Sequence, residues 1–220
     1  MNNRDLYILM DTETANTMDS PLCYNVAWAV IDSHGETYDR GNFINSDIFY
    51  DMPELMQTAY YASKIPEYEA QIAAGEVTVA NWYEIRQAFR TMCQQYGVKA
   101  VIAHNMRFDY CSCNTTQRYE TASRYRHFFP RGVELWDTMR MAQDVIVKKP
   151  TYRQFCEENG FICKNGQVRK TAEVLYRYIA QDEAFEEAHK AMEDVDIECQ
   201  IFWYCVRQHK AMRRLAFGKG

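Results

Sequence analysis

Five residues far apart in the chain could act together at one centre. They are Asp11 and Glu13, then Asp109, then His189 and Asp194. Four are carboxylates and the fifth is an imidazole. Hard divalent cations take oxygen ligands, and a pair of such cations can clamp both the attacking and the leaving oxygen of a phosphodiester. Histidine changes charge near neutral pH and can take a proton from water. If the five converge, metal-assisted cleavage of a phosphodiester is within reach.

None of the local patterns carries that conclusion alone. Acids number 30 in 220 residues, and the chain holds four acid-x-acid triplets, about what chance predicts. Asp11-Thr-Glu13 stands out because it ends an apolar strand, where side chains two apart share a face. Two carboxylates aimed together repel unless a cation sits between them; the plain alternative is a pair of solvated acids. Asp109 falls in the first turn of a helix, which the helix dipole explains without any function. His189 lies on the approach to a helix and Asp194 in its first turns. Asp196 and Glu198 beside it read as solvated acids, and His34, His127 and His209 as surface residues.

The elements that must position these groups can be read from periodicity and turn chemistry. Residues 5–12 form a buried strand ending on Asp11. Stretches 23–31 and 36–44 are further strands, and Asp32-Ser-His-Gly35 is their hairpin turn. From about 53 to 97 the pattern is helical, with Trp82, Ile85, Phe89, Met92 and Cys93 on one stripe and Gly97 as the stop. A short strand covers 99–104. A helix runs from Phe108, a core anchor, to about Ser123. Strand 133–136 and helix 137–145 follow, then a helix over 151–159 and a small Asn-Gly hairpin over 161–168. Helices over 171–179 and 190–209 finish the chain, the last with Val195, Cys199, Phe202 and Val206 on its core face. Without repeats or linkers, this is one α/β domain.

Together, the three segments resemble the exonuclease motifs of the DEDDh subgroup of DnaQ-like 3′-to-5′ exonucleases. Asp-x-Glu matches at Asp11-Thr-Glu13, Asn-x-x-Phe-Asp at Asn105-Met-Arg-Phe-Asp109, and His-x-Ala-x-x-Asp at His189-Lys-Ala-Met-Glu-Asp194. The resemblance spans about 5 to 205 and extends to small stand-alone exonucleases of phages and bacteria. It implies a ribonuclease-H-like mixed five-stranded sheet flanked by helices, with the exonuclease domain over 1–209 and a basic tail over 210–220. It also implies two divalent ions, Mg²⁺ or Mn²⁺, held by Asp11, Glu13, Asp109 and Asp194, with His189 as general base. Backbone around Thr12–Thr14 would receive the terminal 3′-hydroxyl of single-stranded DNA, with Asn105 helping to position the nucleotide. Many relatives carry Thr-Gly after the first motif, where this chain has Ala15-Asn16. Asn16 can take the left-handed conformation that glycine takes easily.

Other readings stay open. The same chemistry on RNA fits the motifs, and so does a binding subunit that has kept the fold. A polymerase or replication partner is left open, as is the oligomeric state. Arg118, Arg124, Arg126 and Arg131, interleaved with Tyr119, Tyr125, Phe128 and Phe129, could track a strand and stack its bases; a solvated loop over a few buried aromatics fits as well. Of these, Arg124 and Arg126 are the expected substrate contacts. The basic tail with Lys210, Arg213, Arg214 and Lys219 reads as a frayed end.

Bulk properties restrict rather than identify. A net charge of −5 argues against a protein that coats nucleic acid. The eight cysteines show no C-x-x-C pair, and Cys111-Ser-Cys113 is too tight for usual zinc spacing. Free thiols in a reducing cytoplasm are the expectation. Too few apolar residues precede Asp11 for a signal-peptide core, and no uncharged run is long enough to span a membrane.

Overall fold

The computed structural model describes residues 4–122, 124–187 and 189–218. Ser123 and Lys219, named above, lie outside them.

The core is a mixed sheet. Strand β1 (Leu6–Ala15) sits at its centre, antiparallel to β2 (Leu22–Asp32), which pairs antiparallel with β3 (Thr37–Asn45). On its other side β1 runs parallel to β5 (Ala100–Ala103), and β5 runs parallel to β6 (Glu134–Asp137). The hairpin between β2 and β3 turns at Asp32, whose carboxylate accepts the N–H groups of His34, Gly35 and Glu36. The sheet has six strands rather than five, in the order β4-β3-β2-β1-β5-β6. The extra one, β4 (Thr78–Ala80), lies inside the stretch read as helical and pairs parallel with β3. Its three residues are too few to show a period of their own.

Helices cover both faces. Ser46–Phe49 (α1), Pro53–Met56 (α2), a 3₁₀ turn over Ala62–Lys64 and Ile65–Ala74 (α3) fill the connection from β3 to β4. Next come Trp82–Gln95 (α4), Met106–Glu120 (α5), Thr138–Val145 (α6), Pro150–Glu158 (α7), Ala172–Ala180 (α8) and Ala191–Arg207 (α9). A capping box starts α4: Asn81 accepts the Glu84 N–H while Glu84 accepts that of Asn81. Its buried stripe is Trp82, Ile85, Phe89 and Cys93, and Gly97 follows at φ 57°.

The twofold alternation of β1 divides the interior. Tyr7 and Leu9 face one way, packing with α6, α7, α8 and α9. Ile8 and Met10 face the other way, packing with α4, α5, Phe128 and Phe129. A third cluster, including Ala15, Tyr24, Phe49 and Tyr68, seals the end of β1 under α1 to α3. Phe108 is only half-buried, and the core anchor at the start of α5 is Met106.

The tail is not frayed over its described part. Arg213 binds Asp144 through its side chain at 2.9 Å and 3.1 Å. Leu215 bridges Trp136 in antiparallel fashion, and Ala216 is buried. Apolar residues at 215–217 let the chain add to the β6 edge, which the run of basic residues conceals in sequence.

Candidate active site

Alternation along β1 decides which groups meet. Asp11 and Glu13 continue the face of Tyr7 and Leu9, towards α9, where Asp194 projects from the first turn. Ligand atoms of Asp11, Glu13 and Asp194 all lie within 4.8 Å of one another. A bulge between Glu13 and Thr14 breaks the pairing with β2 directly after the second carboxylate, a common device for aiming a side chain beside a site. The start of α9 is held by the Ala191 N–H on Asn25 Oδ1 and by Lys190, paired with Glu67 at 2.9 Å.

Thr12 has the opposite parity and faces α5. There its hydroxyl donates to Asp109 Oδ1 at 2.9 Å, and both residues are buried. Asp109 therefore belongs to the same corner but is outside the three-carboxylate group. Sequence reasoning used only the backbone of Thr12 and missed this side-chain contact. Thr14 follows the bulge, half-buried. Asn105, exposed and left-handed at φ 69°, donates its N–H to Asp137 Oδ1. Asn16 is left-handed at φ 75°, and its N–H donates to Thr58 Oγ1, so asparagine does take the conformation that the missing glycine would favour.

The carboxylates repel. Burial, then Glu187, pushes Asp11 up to about 7; burial, then Asp11, pushes Asp194 up to about 9 and Glu13 up to about 10. One oxygen of Asp194 is buried without a hydrogen-bond partner. Such a set is suited to a hard cation, which would offset the burial and the repulsion together.

His189 borders this group. Its Nδ1 lies 3.5 Å from Glu187 Oε2, and Glu187, His189 and Asp194 form a second cluster of metal-ligand size. The ring stacks on Tyr61 at 4.4 Å between centroids, with backbone φ at 53°. Burial and then Lys64 hold its pKa below the ordinary 6.5, so the ring is neutral at neutral pH.

Sequence reasoning missed two acids. Glu198 is not solvated: it is 3% exposed, and its Oε2 accepts the His104 N–H at 3.0 Å. One turn beyond Asp194 on α9, it ties that helix to the end of β5, where the corner carrying Asp109 begins. The i, i+4 spacing from Asp194 was the available signal. Glu187 also reaches the site, half-buried and pushed up to about 7 by burial. Asp196 does face solvent, paired with Arg40.

Among the described residues, Arg124 and Arg126 do not contact the carboxylates; both are exposed on the segment between α5 and β6. Phe128 and Phe129 are core residues and cannot stack bases, whereas Tyr119 and Tyr125 are exposed. Cys23, Cys93, Cys113, Cys156, Cys199 and Cys205 are buried free thiols; Cys111 and Cys163 are exposed.

With a mixed sheet, helices on both faces and acids at the end of the central strand, the chain has a ribonuclease-H-like fold. Solved structures similar to it are exonucleases and a cell-death nuclease. Exonuclease X, bound to 5′-overhanging duplex DNA, aligns over 92% of each chain at 16% identity and a TM-score of 0.50. E. coli exonuclease I, with an oligonucleotide, aligns over 94% of this chain and 41% of its own at 12% identity and a TM-score of 0.54. Cell-death related nuclease 4 aligns over 96% of this chain and 67% of its own at 9% identity and a TM-score of 0.56. The chain thus spans less than half the length of exonuclease I. No family model and no curated protein matches the sequence. Among the described residues, no helix is long and apolar enough to cross a membrane.

Proposed function

We propose that this protein is a metal-dependent 3′-to-5′ exonuclease that releases 5′-nucleoside monophosphates from single-stranded DNA. The observation that carries the reading is the convergence of Asp11 and Glu13 with Asp194, beside His189, on a fold shared with exonucleases. The neighbours' DNA complexes support a nucleic-acid substrate.

Asp11, Glu13 and Asp194 would hold the cations, two Mg²⁺ or Mn²⁺, with Asp109 supporting them from the α5 side. Bound there, the metal supplies charge neutralisation and Lewis-acid activation of water and phosphate. His189, neutral at working pH, accepts the proton of the attacking water. To do so its ring would leave the Tyr61 face, on which it stacks at 4.4 Å between centroids. Backbone at Thr12–Thr14 receives the terminal nucleotide with Asn105 at the rim, and Arg124 and Arg126 contact the strand further away. Thr12 keeps Asp109 oriented.

The test compares linear single-stranded DNA, RNA of the same sequence, circular single-stranded DNA and a 3′-phosphorylated strand, each with Mn²⁺, for wild type and Asp11→Ala. Stepwise loss from the 3′ end of linear DNA, absent in the variant, is expected. Cleavage of the circle would contradict the exonuclease reading, and faster digestion of RNA would reassign the substrate.

A further inference from the structure

On the face of the sheet opposite α9, α4 and the segment leading to β6 border an open cleft of about 500 Å³. Five arginines line it: Arg86, Arg90, Arg124, Arg126 and Arg131. No acid lines it, and none of the five makes an ion pair among the described residues. Solvated arginines on a convex surface would call for no explanation. Here, five charges of one sign share a concavity in a chain whose net charge is −5, and a low-dielectric wall focuses such a field.

The cleft is also built. Arg86 and Arg90 stand one turn apart on α4, so both guanidinium groups leave the same helix face. Arg86 Nε donates to the His127 carbonyl at 3.2 Å, pinning the opposite wall to the helix. Phe129 packs beneath the cleft as part of the core, while Tyr125 stands on the rim, 70% exposed. Guanidinium groups match phosphate oxygens in pairs, and an exposed aromatic beside them offers a face for a base.

We propose that this cleft is a second nucleic-acid site, which grips the backbone phosphates of a single strand through its arginines. The inference rests on the exonuclease reading for its substrate class, and it goes further by placing α4 in the grip. Such a cleft would give a hold on long strands that short fragments lack.

The test uses full-length protein carrying Arg90→Ala and Arg131→Ala together, with the Arg90→Lys, Arg131→Lys pair as the charge-keeping control. Binding of a fluorescein-labelled DNA strand of about 20 nucleotides is followed by anisotropy in EDTA across a salt series. Each lost phosphate contact should flatten the slope of log K against log salt by about 0.7, so the alanine pair should flatten it by about 1.4. The lysine pair should keep most of the slope, and kcat/KM on the long strand relative to a tetranucleotide should fall in the alanine pair. An unchanged slope in a folded alanine pair would overturn the cleft, and so would displacement of the strand by an equal concentration of ATP, which would make it a mononucleotide site. Wild type that binds with the full slope but hydrolyses neither substrate in Mn²⁺ would remove the exonuclease reading and leave the cleft standing.

Discussion

Metal-free protein should lose stability as pH rises from 5 to 8, and Asp194→Asn should remove the share of that loss due to Asp194. Asp194 is pushed up to about 9 by burial, then by Asp11, Glu187 and Glu193, with Lys64 opposing. Its folded pKa therefore lies above its unfolded value near 3.8. The folded state holds a proton that the unfolded state has released, so this contribution is complete below about pH 4 and declines as pH climbs towards 9. Between pH 5 and 8 nearly the whole interval counts. At about 1.36 kcal/mol per unit, the loss is on the order of 4 kcal/mol. For a domain of this size that is a fall in Tm on the order of 10 °C. The assay is thermal unfolding by circular dichroism of EDTA-treated wild type and Asp194→Asn at pH 5, 6, 7 and 8, repeated with Mn²⁺. Wild type should fall steeply, the variant less so, and Mn²⁺ at pH 8 should restore only wild type. Parallel curves for the two proteins, or equal rescue by Mn²⁺, would refute the picture of a protonated carboxylate cluster that a cation replaces.

His189→Ala should lose about 10²–10⁴-fold in turnover while keeping its Mn²⁺ affinity in calorimetry, with partial recovery at higher pH; if affinity collapsed too, His189 would be a ligand. Glu198→Ala strands the part-buried His104 N–H and should cost about 1–3 kcal/mol in urea unfolding. Glu198→Gln keeps an acceptor there and should be clearly milder, and equal losses would show that the carboxylate acts by charge instead. Deleting residues 210–220 should lower Tm and promote association seen by light scattering, because the backbone edge of β6 loses its cover; a monomeric deletion with unchanged Tm would contradict this.

What could be read in the sequence followed the strength of local signals. The strand carrying Asp11, the Asp32–Gly35 turn and the amphipathic stripe of α4 declare themselves in a single window and are found there, although the strand runs on past Asp11 to Ala15. Strand β4 does not, since three residues between two helices show no period. Glu198 escaped because a buried and a solvated acid look alike until the chain folds: its partner, the His104 N–H, is 94 positions away. Phe128 and Phe129 sat among arginines, and only the packing against Phe89 shows that they belong to the interior. The Asp109 contact with Thr12 was hidden by parity, which turns neighbouring residues of one strand to opposite faces.

The docking of the tail on β6 has a consequence in time. Asp137 accepts the Asn105 N–H with its carboxylate and caps α6, while its own N–H is held by the Arg214 carbonyl at 2.8 Å. The Ala216 N–H closes the next position on Leu135. Ribosomes deliver those residues after all the strands and helices they complete. The corner from which Asp109 is presented thus lacks its outermost support until translation has passed residue 216, so this site takes its final shape only after the rest of the sheet has been made.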